Sequence, residues 1–134
     1  MGKLTRFGVS VNSDLLVKFD SVLKNQNYST RSKAIEDFMR QTIVNCELSN
    51  DSSQVVGSIN IIYDHHRREL LGKLTDIQHD FQAIILSSHH IHLGHHNCFE
   101  AIIVKGEKKS IEELASKIKS TKGVKNSTLR LIPL

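Results

Sequence analysis

The chain contains little cysteine and no long apolar run. Its two cysteines, Cys46 and Cys98, cannot form a disulfide framework, which is typical of a protein from a reducing compartment. No apolar N-terminal segment has the character of a signal peptide, and no run of roughly 18 apolar residues could span a membrane. We therefore expect a cytoplasmic protein.

Catalytic constellations and a strong charge are also lacking. The sequence shows no paired carboxylates, no nucleophile–base set and no phosphate-binding loop, so an enzyme is not expected. The formal net charge is +4, and the basic excess is spread evenly along the chain. A charge of this size permits nucleic-acid binding without indicating it.

Histidine is what the chain has in excess. Six of its eight histidines lie between residues 78 and 100, beside one of the two cysteines. Two of them, His90 and His92, would project from one face of a strand, and Cys98 could return to that face across a short turn. Imidazole and thiolate suit nickel, copper or zinc and are poor ligands for magnesium or calcium. The pattern H-x10-H-x-H-x5-C comprises His79, His90, His92 and Cys98. A solvated histidine-rich surface is the alternative interpretation.

The first 50 residues predict one strand and two helices. Residues 4–11 alternate between apolar and polar from Arg6 onward, which predicts a half-buried strand. Residues 12–14 offer a helix N-cap, Asn27 can take a left-handed conformation where that helix ends, and Ser29 or Thr30 can cap a second helix. A lone strand leaves its backbone groups unpaired, so we expect two chains to pair their strands and form a ribbon that fits the DNA major groove. This is the ribbon-helix-helix pattern.

The remaining residues predict a second domain. Residues 45–54 lose the apolar period and collect Ser, Asn and Asp, which indicates a linker and a boundary near residue 50. Beyond it we predict strands at 55–63, 82–92, 99–105 and 124–132, a helix at 66–80, and a helix capped by Ser110 and ending near Gly123. The order βαββαβ is that of a ferredoxin-like or ACT-type sandwich. We predict an α+β protein, with a ribbon-helix-helix domain at residues 1–50 and an ACT-like domain at residues 51–134.

Both halves together resemble the nickel-responsive transcriptional regulators over essentially the whole chain. The resemblance rests on the segments TRFGVSV, NYSTRSKAIEDFMR, IIYDHHRRELLGKLTDIQHDF, HHIHLGHHNCFE and VKGE. It implies a repressor of nickel uptake genes that binds a double-stranded DNA operator with an inverted repeat. It also implies a homotetramer, built as a dimer of dimers, that holds one Ni²⁺ per subunit. The implied ligands are His90, His92 and Cys98 from one chain and His79 from its neighbour.

The resemblance also assigns supporting residues. Tyr63, His65 and Glu100 match positions near the metal. Arg67 and Arg68 match positions that contact the DNA backbone, although they could equally be a solvated helix start. The remaining positions matched for DNA contact are Arg6, Gly8 and Ser10 on the ribbon and Ser29, Thr30 and Arg31 at the second helix.

Two positions depart from the family. Gly8 stands where a hydroxyl residue is usual and offers only backbone, so one base contact is expected to be lost. Lys33 stands, with Asp37, where some members have two acids that help to hold a cation between the domains. Either a Lys33–Asp37 ion pair replaces that cation or the site is absent. Three histidines have no place in the four-ligand set and are either solvated or, with His65 and His66, bind a second, weaker metal: His89, His95 and His96.

Two other functions remain open at this point. One is a DNA-binding regulator that responds to zinc, copper or cobalt, which share the ligand preferences of nickel. The other is a metal storage or chaperone protein whose N-terminal half only dimerises. Visible absorption distinguishes the metals, and nickel-dependent DNA binding distinguishes a regulator from a storage protein.

Overall fold

The computed structural model describes residues 2–134 and has the predicted α+β composition. The chain divides into two compact units, Met1–Thr42 and Ile43–Leu134. Within residues 2–134, no helix is both long enough and apolar enough to cross a bilayer. The elements are α1 (Ser13–Asn25), α2 (Arg31–Glu47), β1 (Gln54–Tyr63), α3 (Arg68–Asp80), β2 (Ile85–His92), β3 (Cys98–Glu107), α4 (Lys108–Ser120) and β4 (Val124–Pro133).

The two helices of the first unit begin and end at the expected signals. The Asn12 side chain accepts hydrogen bonds from the backbone N–H groups of Asp14 and Leu15, which caps α1. After α1 the chain turns through Asn27, whose φ of 60° lies in the left-handed region. The Thr30 hydroxyl accepts a hydrogen bond from the backbone N–H three residues later and caps α2. Of the two proposed caps, Thr30 is therefore the one that is used.

The predicted strand at residues 4–11 does not form within a single chain. The structure assigns no strand to residues 2–11, and Phe7, Val9 and Val11 are each more than half exposed. In the described part of the first unit only Leu23 and Ala34 are fully buried. The physical reason is that a strand needs a hydrogen-bonded neighbour, and the expected neighbour was a second copy of the chain.

The second unit is a four-stranded antiparallel sheet with the strand order β2-β3-β1-β4. With α3 and α4 it has the predicted order βαββαβ. Alternate residues of β1 and β3 point into one core, because successive side chains of a strand face opposite sides of a sheet. That core contains Val55, Ile59, Ile61, Tyr63, Cys98, Ile102 and Val104 from the sheet and Leu70, Leu74, Ile111, Leu114 and Ile118 from the helices.

Two predicted boundaries were wrong. The helix α4 begins at Lys108 with Glu107 at its N-cap, so Ser110 lies inside the helix and does not cap it. The chain passes directly from β3 into α4, and no side chain caps this junction. The strand β2 begins at Ile85 and not at residue 82, because a turn follows α3, in which the Ile84 N–H donates to the carbonyl of Phe81.

Gly57 in β1 is predicted to be required because the neighbouring strand lies too close for a side chain at this position. A Cβ at Gly57 would lie 2.2 Å from the carbonyl oxygen of Arg130 on the neighbouring strand β4. We expect Gly57→Ala to force β1 and β4 apart and to lower the free energy of unfolding by about 1–3 kcal/mol. The measurement is urea unfolding of the full chain, followed by circular dichroism at fixed protein concentration.

Gly72 in α3 is the matched control. A Cβ there meets nothing within 4 Å, so Gly72→Ala should raise the stability by about 0.5–1 kcal/mol through its helix propensity. Equal stability of the two variants would show that the close approach at Gly57 is not a constraint.

Candidate metal centre

The pairing of β2 with β3 places three predicted metal ligands on one face of the sheet. His92 lies opposite Cys98 and His90 opposite Glu100 in the antiparallel register. Such directly opposed residues have Cβ atoms about 4.5–5.5 Å apart on the same face. Cys98 is buried, whereas the two histidines are exposed along β2, which is one of the two edge strands.

The fourth predicted ligand is not joined to these three within one chain. His79 lies exposed in the last turn of α3. Among residues 2–134, one group of at least three metal-ligating side chains has converging donor atoms, and it contains neither His79 nor the residues of the β2–β3 set. The donor atoms of the β2–β3 set therefore share a face without converging in the single chain, and a site that includes His79 remains a prediction that involves a second chain.

A buried carboxylate lies next to His90. Glu100 is 1% exposed and accepts hydrogen bonds from the Tyr63 hydroxyl at 3.1 Å, the Gln78 amide at 2.9 Å and the Ser88 hydroxyl at 2.6 Å. The His90 Nε2 lies 3.4 Å from the same carboxylate. A buried charge is costly unless its oxygens are hydrogen-bonded, and these three donors supply that compensation. The five side chains belong to β1, β2, β3 and α3.

Tyr63 links this carboxylate to the histidine. Its hydroxyl oxygen lies 3.1 Å from the His90 Nδ1. Burial, followed by the charge of Glu100, raises the pKa of Tyr63, so the phenol stays protonated. Its hydroxyl therefore donates a hydrogen bond to the carboxylate. The hydroxyl oxygen lies against one ring nitrogen of His90, Nδ1, and the Glu100 carboxylate lies 3.4 Å from the other, Nε2. Tyr63 and Glu100 together therefore orient the imidazole ring of His90.

The donor set fits a borderline-to-soft metal ion. Cys98 contributes sulfur and the two histidines of β2 contribute nitrogen, which are the ligands that nickel, copper and zinc prefer. The nearby carboxylate oxygens already accept three hydrogen bonds and are held by the network around Glu100. His90 is in direct contact with that network, and Cys98 lies opposite Tyr63 in the β1–β3 register and interacts with its hydroxyl.

His65, the third residue predicted near the metal, lies beside His92. Their ring centroids are 4.7 Å apart in an edge-on arrangement. Burial, followed by the charge of His66, lowers the pKa of His65, which favours its neutral form. The structure thus places Tyr63 and Glu100 beside His90, and His65 beside His92.

The residues predicted to read DNA bases are exposed in the single chain. Arg6, Gly8 and Ser10 lie in the segment to which no strand is assigned. Nothing lies within 4 Å of where a Cβ of Gly8 would stand. Their common face therefore depends on the ribbon that two chains are expected to form.

Arg31 at the start of α2 is already engaged. Its guanidinium donates two hydrogen bonds to Asp20, at 2.8 and 2.7 Å. This ion pair lowers the pKa of Asp20 and raises that of Arg31. Arg31 could contact a phosphate only by sharing or leaving this carboxylate. The exposed residues Ser29 and Thr30 flank the helix start, where the first N–H groups of a helix have no intrahelical partner.

Arg67 and Arg68 lie in a basic surface at the start of α3. Both are exposed, and they line a shallow cavity of about 450 Å³. The side chains around that cavity are mainly cationic, as expected for a surface that contacts phosphate. The lining residues are His66, Arg67, Arg68, Glu69, Leu70, Lys73 and Lys122.

Lys33 and Asp37, where some members of the resembled family have two acids, form an ion pair. The Lys33 ammonium lies 2.7 Å from one oxygen of Asp37, and the Tyr28 hydroxyl donates to the other oxygen at 3.1 Å. Hydrogen bonding to Lys33 lowers the pKa of Asp37, and the same contact raises the pKa of Lys33. An internal cation therefore occupies the carboxylate of Asp37.

Sequence reasoning missed Gln78 and Ser88, the two further partners of Glu100. A signal for both was present. Glu100 is a charged residue between Cys98 and Ile102 on the buried face of β3, and such a residue requires donors on the elements that cover it. Ser88 lies on the same face of β2 as the two candidate ligand histidines, two residues before the first of them.

Comparison with known proteins gives a consistent result. A model of the NikR C terminal nickel binding domain matches residues 56–132. The chain is 46% identical over 131 residues to a protein of Nitratidesulfovibrio vulgaris and 46% identical to one of Syntrophus aciditrophicus, covering 98% of this chain and 94% and 95% of theirs. A protein of Thermococcus kodakarensis is 44% identical over 95% of this chain and 92% of its own. All three are provisionally named nickel-responsive regulators.

A solved structure shares the fold alone. An uncharacterised protein of Thermotoga maritima superposes with a TM-score of 0.51 over 60% of this chain and 98% of its own, at 16% identity.

The network around Glu100 generates a stability prediction. Ser88→Ala removes the 2.6 Å hydrogen bond to the buried carboxylate, and we expect a loss of about 1–2 kcal/mol in the free energy of unfolding at neutral pH. Chemical denaturation followed by circular dichroism measures this loss. Ser87→Ala, one residue earlier on the opposite face of β2, is the control and should be neutral within about 0.5 kcal/mol. If both variants unfold alike, the hydroxyl of Ser88 does not stabilise the charge.

Proposed function

The chain belongs to the family of nickel-responsive regulators, and on that premise we propose how it binds nickel and DNA. It is a nickel-dependent transcriptional regulator and not an enzyme. We propose further that it is a cytoplasmic homotetramer that represses nickel uptake genes. Residues 1–50 would bind DNA, and residues 51–134 would bind nickel and join the dimers.

The proposed nickel ligands are His90, His92 and Cys98 of one chain and His79 of a neighbouring chain, with one ion per subunit. The single observation that carries this proposal is the β2–β3 register, which sets His92 directly opposite Cys98 and puts His90 on the same face. His79 is exposed and available to a second chain. A bound nickel ion supplies bonds to sulfur and nitrogen that link side chains of two subunits.

The protein's own groups would prepare these ligands. Tyr63 and Glu100 orient the ring of His90, and Glu100 also accepts a hydrogen bond from Gln78, the residue next to His79 in α3. The ligands of β2 and the helix that carries His79 are therefore tied to one buried carboxylate. We propose that this carboxylate couples the position of α3 to the position of His90.

Exposed apolar residues support self-association through two surfaces. In the first unit, Phe7, Val9 and Val11 precede helices whose apolar side chains are also largely exposed, more than a folded monomer can leave in water. In the second unit, Ile91 and Leu93 at the end of β2 are each more than half exposed. Pairing of each surface with its own copy would produce a dimer of dimers.

For DNA, we propose that paired segments from two chains present Arg6, Gly8 and Ser10 to the major groove of an inverted-repeat operator. The arginine guanidinium can bind a guanine through two hydrogen bonds, and the serine hydroxyl can donate or accept one. Gly8 offers no side-chain contact. Phosphates would lie at the N-terminus of α2, beside Ser29 and Thr30, and along the basic surface at Arg67 and Arg68. Arg31 contributes there only if its ion pair with Asp20 opens.

The shared site generates a complementation prediction. His79→Ala and Cys98→Ala should each weaken nickel binding at least tenfold, because each removes one ligand of every site. When the two variants are mixed after unfolding and refolded together, some sites combine an intact Cys98 with an intact His79 of another chain. Nickel titration, followed by sulfur-to-nickel absorption, should then recover tight binding in a fraction of the sites.

His89→Ala is the control for that series, since His89 belongs to no proposed ligand set, and its nickel affinity should equal that of the wild type. If the mixture binds no more tightly than the separate variants, His79 and Cys98 do not meet across a subunit boundary. Repeating the titration with zinc, copper and cobalt tests whether nickel is the preferred ion.

The proposed ribbon generates a second prediction. Arg6→Ala should weaken nickel-dependent binding to a duplex selected from a random library by about 1–3 kcal/mol and relax the preference at one base pair of each half-site. Fluorescence anisotropy of the labelled duplex measures both effects. Lys18→Ala, an exposed residue of α1, removes the same charge elsewhere and serves as the control. Equal losses in the two variants would indicate general charge attraction instead of base reading.

A further inference from the structure

A residue of β4 holds the turn that joins two of the proposed nickel ligands. His92 is the last residue of β2 and Cys98 is the first residue of β3, so residues 93–97 connect these ligands. The Leu93 N–H donates to the carbonyl of Asn97 at 2.8 Å and closes the turn. The Lys125 ammonium donates a 2.7 Å hydrogen bond to the side-chain oxygen of the same asparagine. Lys125 therefore ties the residue immediately before Cys98 to another strand.

Lys125 occupies an irregular position in β4. In the pairing with β1, Val124 lies opposite Tyr63 and Asn126 lies opposite Ile62, so Lys125 is the extra residue of a β-bulge. A bulge bends its strand and changes the direction of the side chain that it inserts. The hydrogen bond to Asn97 shows that the side chain of Lys125 is directed to the β2–β3 turn.

The bulge lies at the end of the sheet that carries the ligands. Tyr63 is opposite Val124 on one side and opposite Cys98 on the other, and Cys98 is opposite His92. Because β1 lies between β4 and β3, two strand spacings separate them, which is about 9.5 Å. A contact across β1 requires a long side chain, and lysine supplies one.

The ligand pair that this contact supports stands where a sheet opens most easily. His92 and Cys98 form the end pair of the β2–β3 ladder. The ends of elements open at a lower free energy than the middle of a sheet. Opening at this end would separate an imidazole from a thiolate, and a contact that holds the connecting turn in place opposes it.

We propose that Lys125 is a positioning residue for nickel binding, which acts through Asn97 to keep His92 and Cys98 paired. The proposal rests on the proposed nickel ligands. Its expected effect is on the time for which nickel stays bound, because release of the ion requires the end of the ladder to open. The hydrogen bond is exposed on the lysine side, so its contribution is modest.

The test measures nickel release from the full chain. The nickel-loaded protein is mixed with excess EDTA, and the decay of the sulfur-to-nickel absorption gives the rate. Lys125→Met keeps the length of the side chain and removes the ammonium, and we expect release about two- to fivefold faster than in the wild type. Asn97→Ala removes the acceptor and should have the same effect. Circular dichroism verifies that each variant is folded.

Further variants separate positioning through Asn97 from a general effect of charge. The double variant Lys125→Met/Asn97→Ala should release nickel no faster than either single variant, because both changes break the same contact. Lys125→Arg keeps a cationic donor and should release nickel at the wild-type rate. Lys119→Met makes the same substitution at an exposed position of α4 and should leave the rate unchanged.

Two results overturn the proposal while the proposed ligands stand: a wild-type release rate in Lys125→Met, or a double variant whose acceleration equals the product of the two single effects. An equal acceleration in Lys119→Met would also overturn it, because the effect would then follow from charge alone. Absence of the sulfur-to-nickel absorption in the wild type would reject the proposed ligands themselves, and this proposal with them.

Discussion

The account depends on the antiparallel pairing of β2 with β3. This register fixes His92 opposite Cys98 and His90 opposite Glu100, and it thereby brings an exposed edge strand against a buried cysteine and a buried carboxylate. A shift by one residue would turn both histidines to the other face of the sheet. Other elements of the second unit stabilise this arrangement, because β1 contributes Tyr63 and α3 contributes Gln78 as hydrogen-bond donors to Glu100.

In a single chain, the first unit leaves apolar residues exposed and the second lacks one of its proposed metal ligands. The first unit exposes the apolar face of the segment before α1, and the second places three candidate ligands on one face of the sheet without the fourth. The proposed tetramer would supply what both units need from other copies of the chain. Paired ribbons would bury the apolar face, and α3 of a neighbouring chain would contribute His79. Nickel could then act on DNA binding in the only way a ligand can, by binding one arrangement of the chains more tightly than another.

Local signals in the sequence predicted the order of the elements of the second unit and most of their bounds. In the first unit, Asn12 and Thr30 cap the two helices and Asn27 takes the left-handed conformation between them, so both helices were predictable. The start of α4 was not, because the chain enters that helix directly from β3 without a capping side chain and the hydroxyl of Ser110 suggested a later start.

The candidate ligands were visible from histidine spacing on a strand. Their partners Gln78 and Ser88 were not, because these contacts depend on how α3 and β2 pack over β3. The sequence left open whether His95 and His96 are solvated or lie near His65 and His66, and the folded turn places both of them beside His66.

The most direct test of the central claim records two signals in one nickel titration of the wild-type chain: the sulfur-to-nickel absorption and the anisotropy of a labelled duplex selected from a random library. The account predicts that both rise together and saturate at one ion per subunit. DNA binding that is already complete without nickel, or that stays absent while the absorption saturates, would contradict it.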